Sequence, residues 1–473
     1  MRITNKSISN NFLVDMQRNL QNLSKVQQQV SSMKNFSKPS DDPLNVERSM
    51  QMQTSLNATD QYYSNITSAL SSMETTDTTL GQLGTVLTNV RTDLVKAGDA
   101  GYTQDERDKV NDEVKQYVAQ FAQILNTNLG GEYIFGGTQG LSKPVTTTTD
   151  ANGNVSIEYA DAKGNVVDSI PEVVSSGFDI TKWNKQSITF TVKNSEEPPS
   201  DIEVPIETLD TSDGKKTVDD VVKDLNNKIQ AKDDLRDKVT AVKTNDGNIK
   251  FLAVNSSDNI KISTDISDMS KVNGKQLSNV DMANIGEDKT IEVSQGVVLD
   301  YNATASSVMQ YGENNNNNIN DDNIKALMNR IQHHLAGQVL SDKGADGTTP
   351  VEASDDGAIN IPDSDGNDHY YIWKNDESAA KNELINQDLT DIDAASKQVL
   401  KVRSQIGAKE KRMEDLQSQN QSSKLNIQET LSKTEDIDIT QKTIEYSTMV
   451  TVYQACLQTG AKVMQPTLMD YLS

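Results

Sequence analysis

Near the start of the chain, Leu13, Met16, Leu20, Leu23, Val26, Val30 and Met33 recur at steps of three and four. Near its finish, Ile439, Tyr446, Val450, Tyr453, Leu457 and Met464 keep the same register, with Thr443 and Gly460 in the intervening positions. Each set draws one narrow apolar stripe along a helix whose other side is Gln, Asn, Ser and Lys. Neither helix can bury its stripe alone, so each needs a partner helix. The other end of the same chain is the first candidate.

The pattern between these ends predicts an out-and-back order. A first helix over 1–36 ends at Lys38-Pro39-Ser40-Asp41-Asp42-Pro43, where Asp42 can cap the next helix and Pro43 can take its first position. A long helix over 43–97 carries the seam Leu56, Tyr63, Ile66, Leu70, Met73, Leu80, Leu87, Val90 and Leu94, a rod of roughly 80 Å. Thr103-Gln104-Asp105-Glu106 has the form of a capping box, opening a third helix that stops near Gly130-Gly131. A second long helix over 379–433 carries Leu389, Ile392, Val399, Val402, Ile406, Met413, Leu416, Ile427 and Leu431. Its length matches that of the 43–97 helix, as an antiparallel pair requires. Glu435-Asp436-Ile437-Asp438 makes a break opposite the proline break, and a final helix runs from Ile439 to Met464.

The middle has another texture. Alternating runs at 187–192 and 249–254, with turn signals at Asp150-Ala151-Asn152-Gly153, Lys163-Gly164-Asn165 and Asn245-Asp246-Gly247, read as hairpin strands. A helix over 218–232 interrupts them, and 260–263 and 290–300 read as further strands. A helix over 321–340 follows a polar linker at 314–318. The stretch 341–378 reads as a loop with one strand at Tyr370-Tyr371-Ile372-Trp373. The fold class expected is α+β: an elongated antiparallel helical rod built from both ends of the chain, with an inserted, mostly β outer region at 141–378. Three parts follow from this: terminal coiled-coil helices at 1–42 and 434–473, a rod core at 43–140 and 379–433, and the insert.

Composition narrows the function classes. The chain has 473 residues, 34% hydrophobic and 5% aromatic, less apolar mass than a compact globule of this length carries. Thin rods and small sheets have little interior to fill, so the composition suits the rod. A net charge of −24 argues against nucleic acid and anionic membrane as partners. One cysteine, Cys456, allows no internal disulfide. No run approaches a membrane span, and the polar start lacks the apolar core of a cleavable secretion signal.

Candidate chemistry is sparse. His333 and His334 are adjacent and point to different sides of a helix, a poor metal pair. Asp363-Ser364-Asp365-Gly366-Asn367-Asp368 alternates carboxylates as calcium loops do but lacks the later bidentate Glu. No nucleophile triad, paired-cysteine motif or phosphate-cradling glycine loop is visible, so neither enzyme nor cofactor is expected.

Several motifs carry a resemblance. Met1-Arg2-Ile3-Thr4, the proline-flanked Ser40-Asp41-Asp42 run, Tyr133-Ile134-Phe135-Gly136-Gly137-Thr138, Val402-Arg403-Ser404-Gln405-Ile406-Gly407-Ala408 and Leu468-Met469-Asp470-Tyr471-Leu472 resemble the flagellin-like axial proteins of the bacterial flagellum. Within that family the pattern is most similar to hook-associated protein 3, the hook–filament junction proteins. The similarity covers 1 to about 140 and 385–473, and 289–311 resemble the family's second domain. Residues 187–263 look like a small module inserted in many flagellins.

The resemblance implies a structural junction protein, extracellular, in the flagellum, exported by the type III route with a chaperone on its C-terminal helix. Its partners would be further copies of itself, flagellin and the preceding hook-associated protein. The expected assembly interface is Leu13, Met16, Leu20, Leu23, Val30, Tyr446, Val450, Tyr453, Leu457, Met464, Leu468 and Leu472. Helices near thirty residues with interrupted seams are marginal without partners, so both ends are expected to order on assembly. Alternatives are flagellin itself, against which the Ser40–Pro43 run speaks, and an acidic extracellular hydrolase or adhesin. From periodicity alone, a closed intramolecular bundle is a further possibility.

Overall fold

The computed structural model describes residues 5–99, 101–150, 152–167, 173–175, 179–193, 201–211, 216–244, 247–254, 260–267, 269, 275–312, 323–343, 349–352, 355, 357–360 and 369–463. The Met1–Thr4 and Leu468–Leu472 motifs, the linker at 314–318, the acidic loop at 363–368, and Met464, Leu468 and Leu472 of the expected interface lie outside them.

Helices α1 (Asn5–Ser32), α2 (Pro43–Ala97) and α3 (Gln104–Leu125) lead, followed by the strand pair β1 (Asn128–Leu129) and β2 (Glu132–Tyr133). A meander of β3 (Val145–Thr149), β4 (Val155–Ala160) and β5 (Val166–Val167) comes next. Strands β6 (Val173–Val174), β7 (Ser187–Lys193) and β8 (Asp201–Glu207), helix α4 (Val218–Gln230), and strands β9 (Val239–Lys243), β10 (Ile249–Ala253), β11 (Ile260–Thr264) and β12 (Ser278–Asn279) form a module. Then come α5 (Val280–Gly286), the hairpin β13 (Thr290–Ser294) and β14 (Val297–Asp300), α6 (Ala305–Met309), α7 (Ile324–Leu335), β15 (Gln338–Ser341), β16 (Ile359–Asn360) and β17 (Tyr370–Asn375). Helix α8 (Glu377–Glu383), a π turn at Leu384–Asp388, α9 (Leu389–Glu435) and α10 (Ile439–Val463) close the described chain.

The chain divides into two compact units. One holds both ends: residues 1–67, 292–297 and 414–473. Here α1 packs against α10, and side-chain bonds from Ser49 to Glu435, Asp60 to Lys424 and Thr67 to Gln417 join the first part of α2 to the last part of α9 in antiparallel order. Lys424 pairs with Asp60 at 2.7 Å, and the Gln417 amide donates to the Thr67 hydroxyl at 3.0 Å. Two asparagines clasp the hairpin tip, Asn65 donating to the Glu292 carbonyl at 2.9 Å and Asn420 to that of Val293 at 3.2 Å.

The other unit holds 68–291 and 298–413. The seam over this part of α2 is buried as expected: Met73, Leu80, Leu87, Val90 and Leu94 are fully covered, as are Ile392, Val399 and Ile406 of α9. Leu83 and Val86 add a second buried side to α2 that the single seam did not contain. Arg403 forks onto Asp77 at 2.8 and 2.9 Å, and Arg91 Nε meets Asp393 at 2.6 Å. The Phe-Gly-Gly run has a steric reason. Phe135 is fully buried, and a Cβ at Gly137, which sits at φ 55°, would collide with the carbonyl oxygens of Asn284 and Ile285.

The module from β6 to β12 has its own apolar core. Trp183, Ile188, Phe190, Val221, Leu225, Phe251, Ile260 and Ile262 are buried together, with Phe190 and Phe251 edge to face at 5.6 Å. β7 lies between β8 and β11, antiparallel to both, and β10 pairs with β9, β6 and β12. Edge strand β8 is guarded by Glu203, Pro205 and Glu207, which discourage further strand pairing.

The third helix, expected to stop near Gly130-Gly131, ends at Leu125 before β1, and three further boundaries differ from the sequence expectation. The first helix ends at Ser32 because Met33 turns left-handed, φ 58°, and terminates it. The expected helix over 321–340 stops at Leu335, where Gly337 at φ 77° reverses the chain and sends Val339 and Leu340 into β15. The expected 379–433 helix contains the π turn, which adds a residue to one turn and brings Asp388 to full burial.

Candidate assembly interface

The two breaks at the ends are stitched together. Lys34 and Asp436 form an antiparallel bridge. The Asn35 backbone N–H donates to the Glu435 carbonyl at 2.6 Å, and that of Ile437 to the Met33 carbonyl at 3.2 Å. The Glu435 carboxylate accepts from both the Lys34 ammonium and the Ser49 hydroxyl. Burial opposes its charge, but those two hydrogen bonds win and hold its pKa below the ordinary value.

The proline-flanked acidic run works as two caps. Asp41 accepts from the backbone N–H groups of Lys38 at 3.0 Å and Ser37 at 3.2 Å, which lower its pKa and close the turn. Asp42 accepts from the Asn45 N–H at 3.2 Å, capping α2 with Pro43 at its first position. On the return, Asp438 accepts from the Gln441 N–H at 3.0 Å and caps α10.

α1, of 28 residues, and α10, of 25, then run antiparallel. Phe12 lies over Gly460, where an added Cβ would come within 2.6 Å of the ring. Further along, the Asn19 amide approaches the Cys456 sulfur at 3.8 Å. Val26 is buried, and Met16, Leu23, Val30, Tyr446, Val450 and Tyr453 are half-buried. Of the other expected interface residues, Leu13, Leu20 and Leu457 are exposed, the last two by 48% and 45%. Met33, on the expected stripe, is exposed as well because it lies in the turn.

The seam of α10 thus passes through Cys456 and Gly460 rather than Leu457. Phe12 was missed, although it stands four residues before Met16 and so fits the stripe's own spacing. What remains uncovered is a second apolar set: Val14 and Leu20 on α1, and Ile444, Val452 and Leu457 on α10. Apolar side chains repeated along two adjacent helices are surface that a further helix can bury.

Among the described residues no helix is long and apolar enough to cross a membrane, and no three His, Cys, Asp or Glu side chains are placed to hold a metal ion.

Comparison with known proteins places these helices. Residues 3–140 match the bacterial flagellin N-terminal helical region, and residues 389–472 match the bacterial flagellin C-terminal helical region. A flagellin of Clostridium tyrobutyricum is 28% identical over 127 residues, 27% of this chain and 34% of that protein. The chain therefore spans about a third of the length of that relative. A flagellar hook-associated protein from Vibrio parahaemolyticus aligns over 84% of this chain and 100% of its own, at 13% identity and a TM-score of 0.41. Flagellar hook-associated protein 3 from Legionella pneumophila aligns over 81% of this chain and 98% of its own, at 14% identity and a TM-score of 0.36.

Proposed function

We propose that this chain, which carries both helical end regions of bacterial flagellin, is a structural junction protein of the flagellum, set between the preceding hook-associated protein and the flagellin filament. One observation carries the reading: α1 and α10 pair with each other yet leave Leu20, Ile444, Val452 and Leu457 between 45% and 62% exposed. Burying one such side chain is worth roughly 1.5–3 kcal/mol, so neighbouring copies that cover them gain several kcal/mol each. Contacts between copies related by a rotation that does not close build a helical tube.

In this reading residues 1–42 and 434–473 order fully when neighbours complete their burial, which opposes early polymerisation. A chaperone holds the C-terminal helix beforehand, and export follows the flagellar type III route. The protein works by shape and contact and catalyses nothing.

The test is deletion of the gene in its own bacterium. Unpolymerised flagellin in the medium and bare hooks support the junction role, and normal filaments overturn it. The local identity to a flagellin supports a second reading, the bulk filament subunit. Copy number separates the two: a short ring for the junction protein, thousands of copies for the filament.

A further inference from the structure

Two adjacent histidines on α7, His333 and His334, are both buried, each 4% exposed. They serve different partners. His334 Nδ1 lies 2.6 Å from the Asp388 carboxylate. The His333 ring instead lies flat on Trp373 of β17, centroids 3.9 Å apart and planes 7° from parallel. Its Nδ1 is 2.8 Å from Gln338 Oε1 at the start of β15, and its Nε2 is 3.3 Å from the Asn154 amide nitrogen.

Those partners dictate its charge. A carboxamide oxygen only accepts and an amide nitrogen only donates, so Nδ1 carries the proton and Nε2 is bare. Asn154 is held in this orientation by Asp150, whose carboxylate accepts from the same amide nitrogen at 3.1 Å. A second proton on His333 would point Nε2–H at the Asn154 N–H and charge a ring that is withdrawn from water. The donor–donor clash and the desolvation stand against the attraction of the indole face. Burial accordingly holds the His333 pKa below that of free imidazole, with the Gln338 hydrogen bond and Asp150 opposing and His334 adding to the shift.

Several charged groups on the elements packed against α7 are engaged with one another. Arg107 of α3 pairs with Glu377 of α8, and Glu158 of β4 with Lys325. Asp388 of the π turn holds Arg330 and His334, β15 has no titratable side chain, and β17 brings Tyr370, Tyr371 and Lys374, none of them a carboxylate. Asp150 already accepts from the backbone N–H groups of Asn152 and Asn154. Among these groups no free carboxylate remains to receive an imidazolium at position 333.

We propose that His333 is an acid-sensitive catch: taking up a proton releases the β15–β17 ribbon from α7 while the module of β6–β12 stays folded. The sign follows from the depressed pKa. The neutral stack contributes its stability at and above neutral pH and loses it as pH falls below the free-imidazole value of about 6.5.

The chain has two tryptophans, Trp183 and Trp373. In the full-length Trp183→Phe variant, Trp373 emission should change with a midpoint below about pH 6.5. The change should vanish on adding His333→Gln, a neutral side chain that both donates and accepts, and persist with His334→Gln. In the unaltered chain, amide protection of 338–341 and 370–375 should fall by up to about tenfold per pH unit from about pH 6.5 down to that midpoint, beyond the intrinsic exchange, while 187–193 keep theirs. A transition that survives His333→Gln, one centred at or above the free-imidazole value, or none before far-ultraviolet circular dichroism reports global unfolding overturns the proposal.

Discussion

Lys34 and Glu435, 401 positions apart, meet at the two breaks in the chain: the ammonium of one lies on the carboxylate of the other, and the next backbone N–H, of Asn35, donates to the Glu435 carbonyl at 2.6 Å. This contact joins the end of α1 to the end of α9. Ser49 of α2 donates to the same carboxylate, so the last residue of α9 ties together α2 and the turn after α1.

Glu435→Ala should therefore loosen the joint without unfolding α2 or α9. The loss of two hydrogen bonds to a charged, mostly buried acceptor is expected to cost about 1–3 kcal/mol. Hydrogen exchange at Asn35 and Ile437 would read it directly. Glu435 and Asp41 have lowered pKa values, so their stabilisation is complete above the ordinary carboxyl value of about 4 and fades as pH falls below it. The same amides should show acid softening in the unaltered chain and little in Glu435→Ala.

The contact of Phe12 with Gly460 leaves no room for a side chain. Gly460→Leu should push α1 off α10 and lower the helix content of the end unit, seen as faster proteolysis between residues 5 and 32. Phe12→Ala in the same chain should restore much of the loss. A double-mutant cycle showing no coupling would mean the helices adjust elsewhere.

Leu20→Asp, Ile444→Asp and Val452→Asp separate folding from assembly. These side chains are exposed in the single chain, so the monomer's stability should move by less than about 0.5 kcal/mol. If copies bury them, polymerisation and motility should fail, which sedimentation and swimming assays would report. Normal assembly with all three carboxylates present would reject this face as the interface.

Phe251→Ala tests the module. The ring is fully buried against Phe190, and its loss should cost about 3–5 kcal/mol there. Trp183 shares that core, so its emission should shift to the red, while exchange in α1 and α10 stays unchanged.

Asp388→Ala strips a fully buried carboxylate from Arg330, at 3.0 Å, and His334, at 2.6 Å. About 3 kcal/mol of destabilisation is expected, because charged and polar donors lose their acceptor away from water. Thermal melting of the full chain measures it.

Local periodicity and capping chemistry were legible along the chain by themselves. The run Asp42-Pro43 marks the start of α2 and Ala97 ends it as expected, because a cap and a seam act within a few residues. The Thr103–Glu106 box forms, with Glu106 accepting from the Thr103 N–H at 2.8 Å. The strand–helix–strand order of the module was legible too, since alternation and turn glycines are local signals.

What tertiary structure alone decided are the places where distant residues share one environment. Asp388 reads as a solvated helix position until Arg330 and His334 surround it, and that needs the π turn to rotate it inward. His333 reads as a stray polar residue until Trp373 covers it. Leu457 fits the α10 stripe by spacing, yet the contact with α1 runs through Cys456 and Gly460 instead. Helical period states which residues share a face; which part of that face is covered depends on where a second helix, more than 400 residues away in sequence, lies against it, as the 437-residue separation of Asn19 from Cys456 shows.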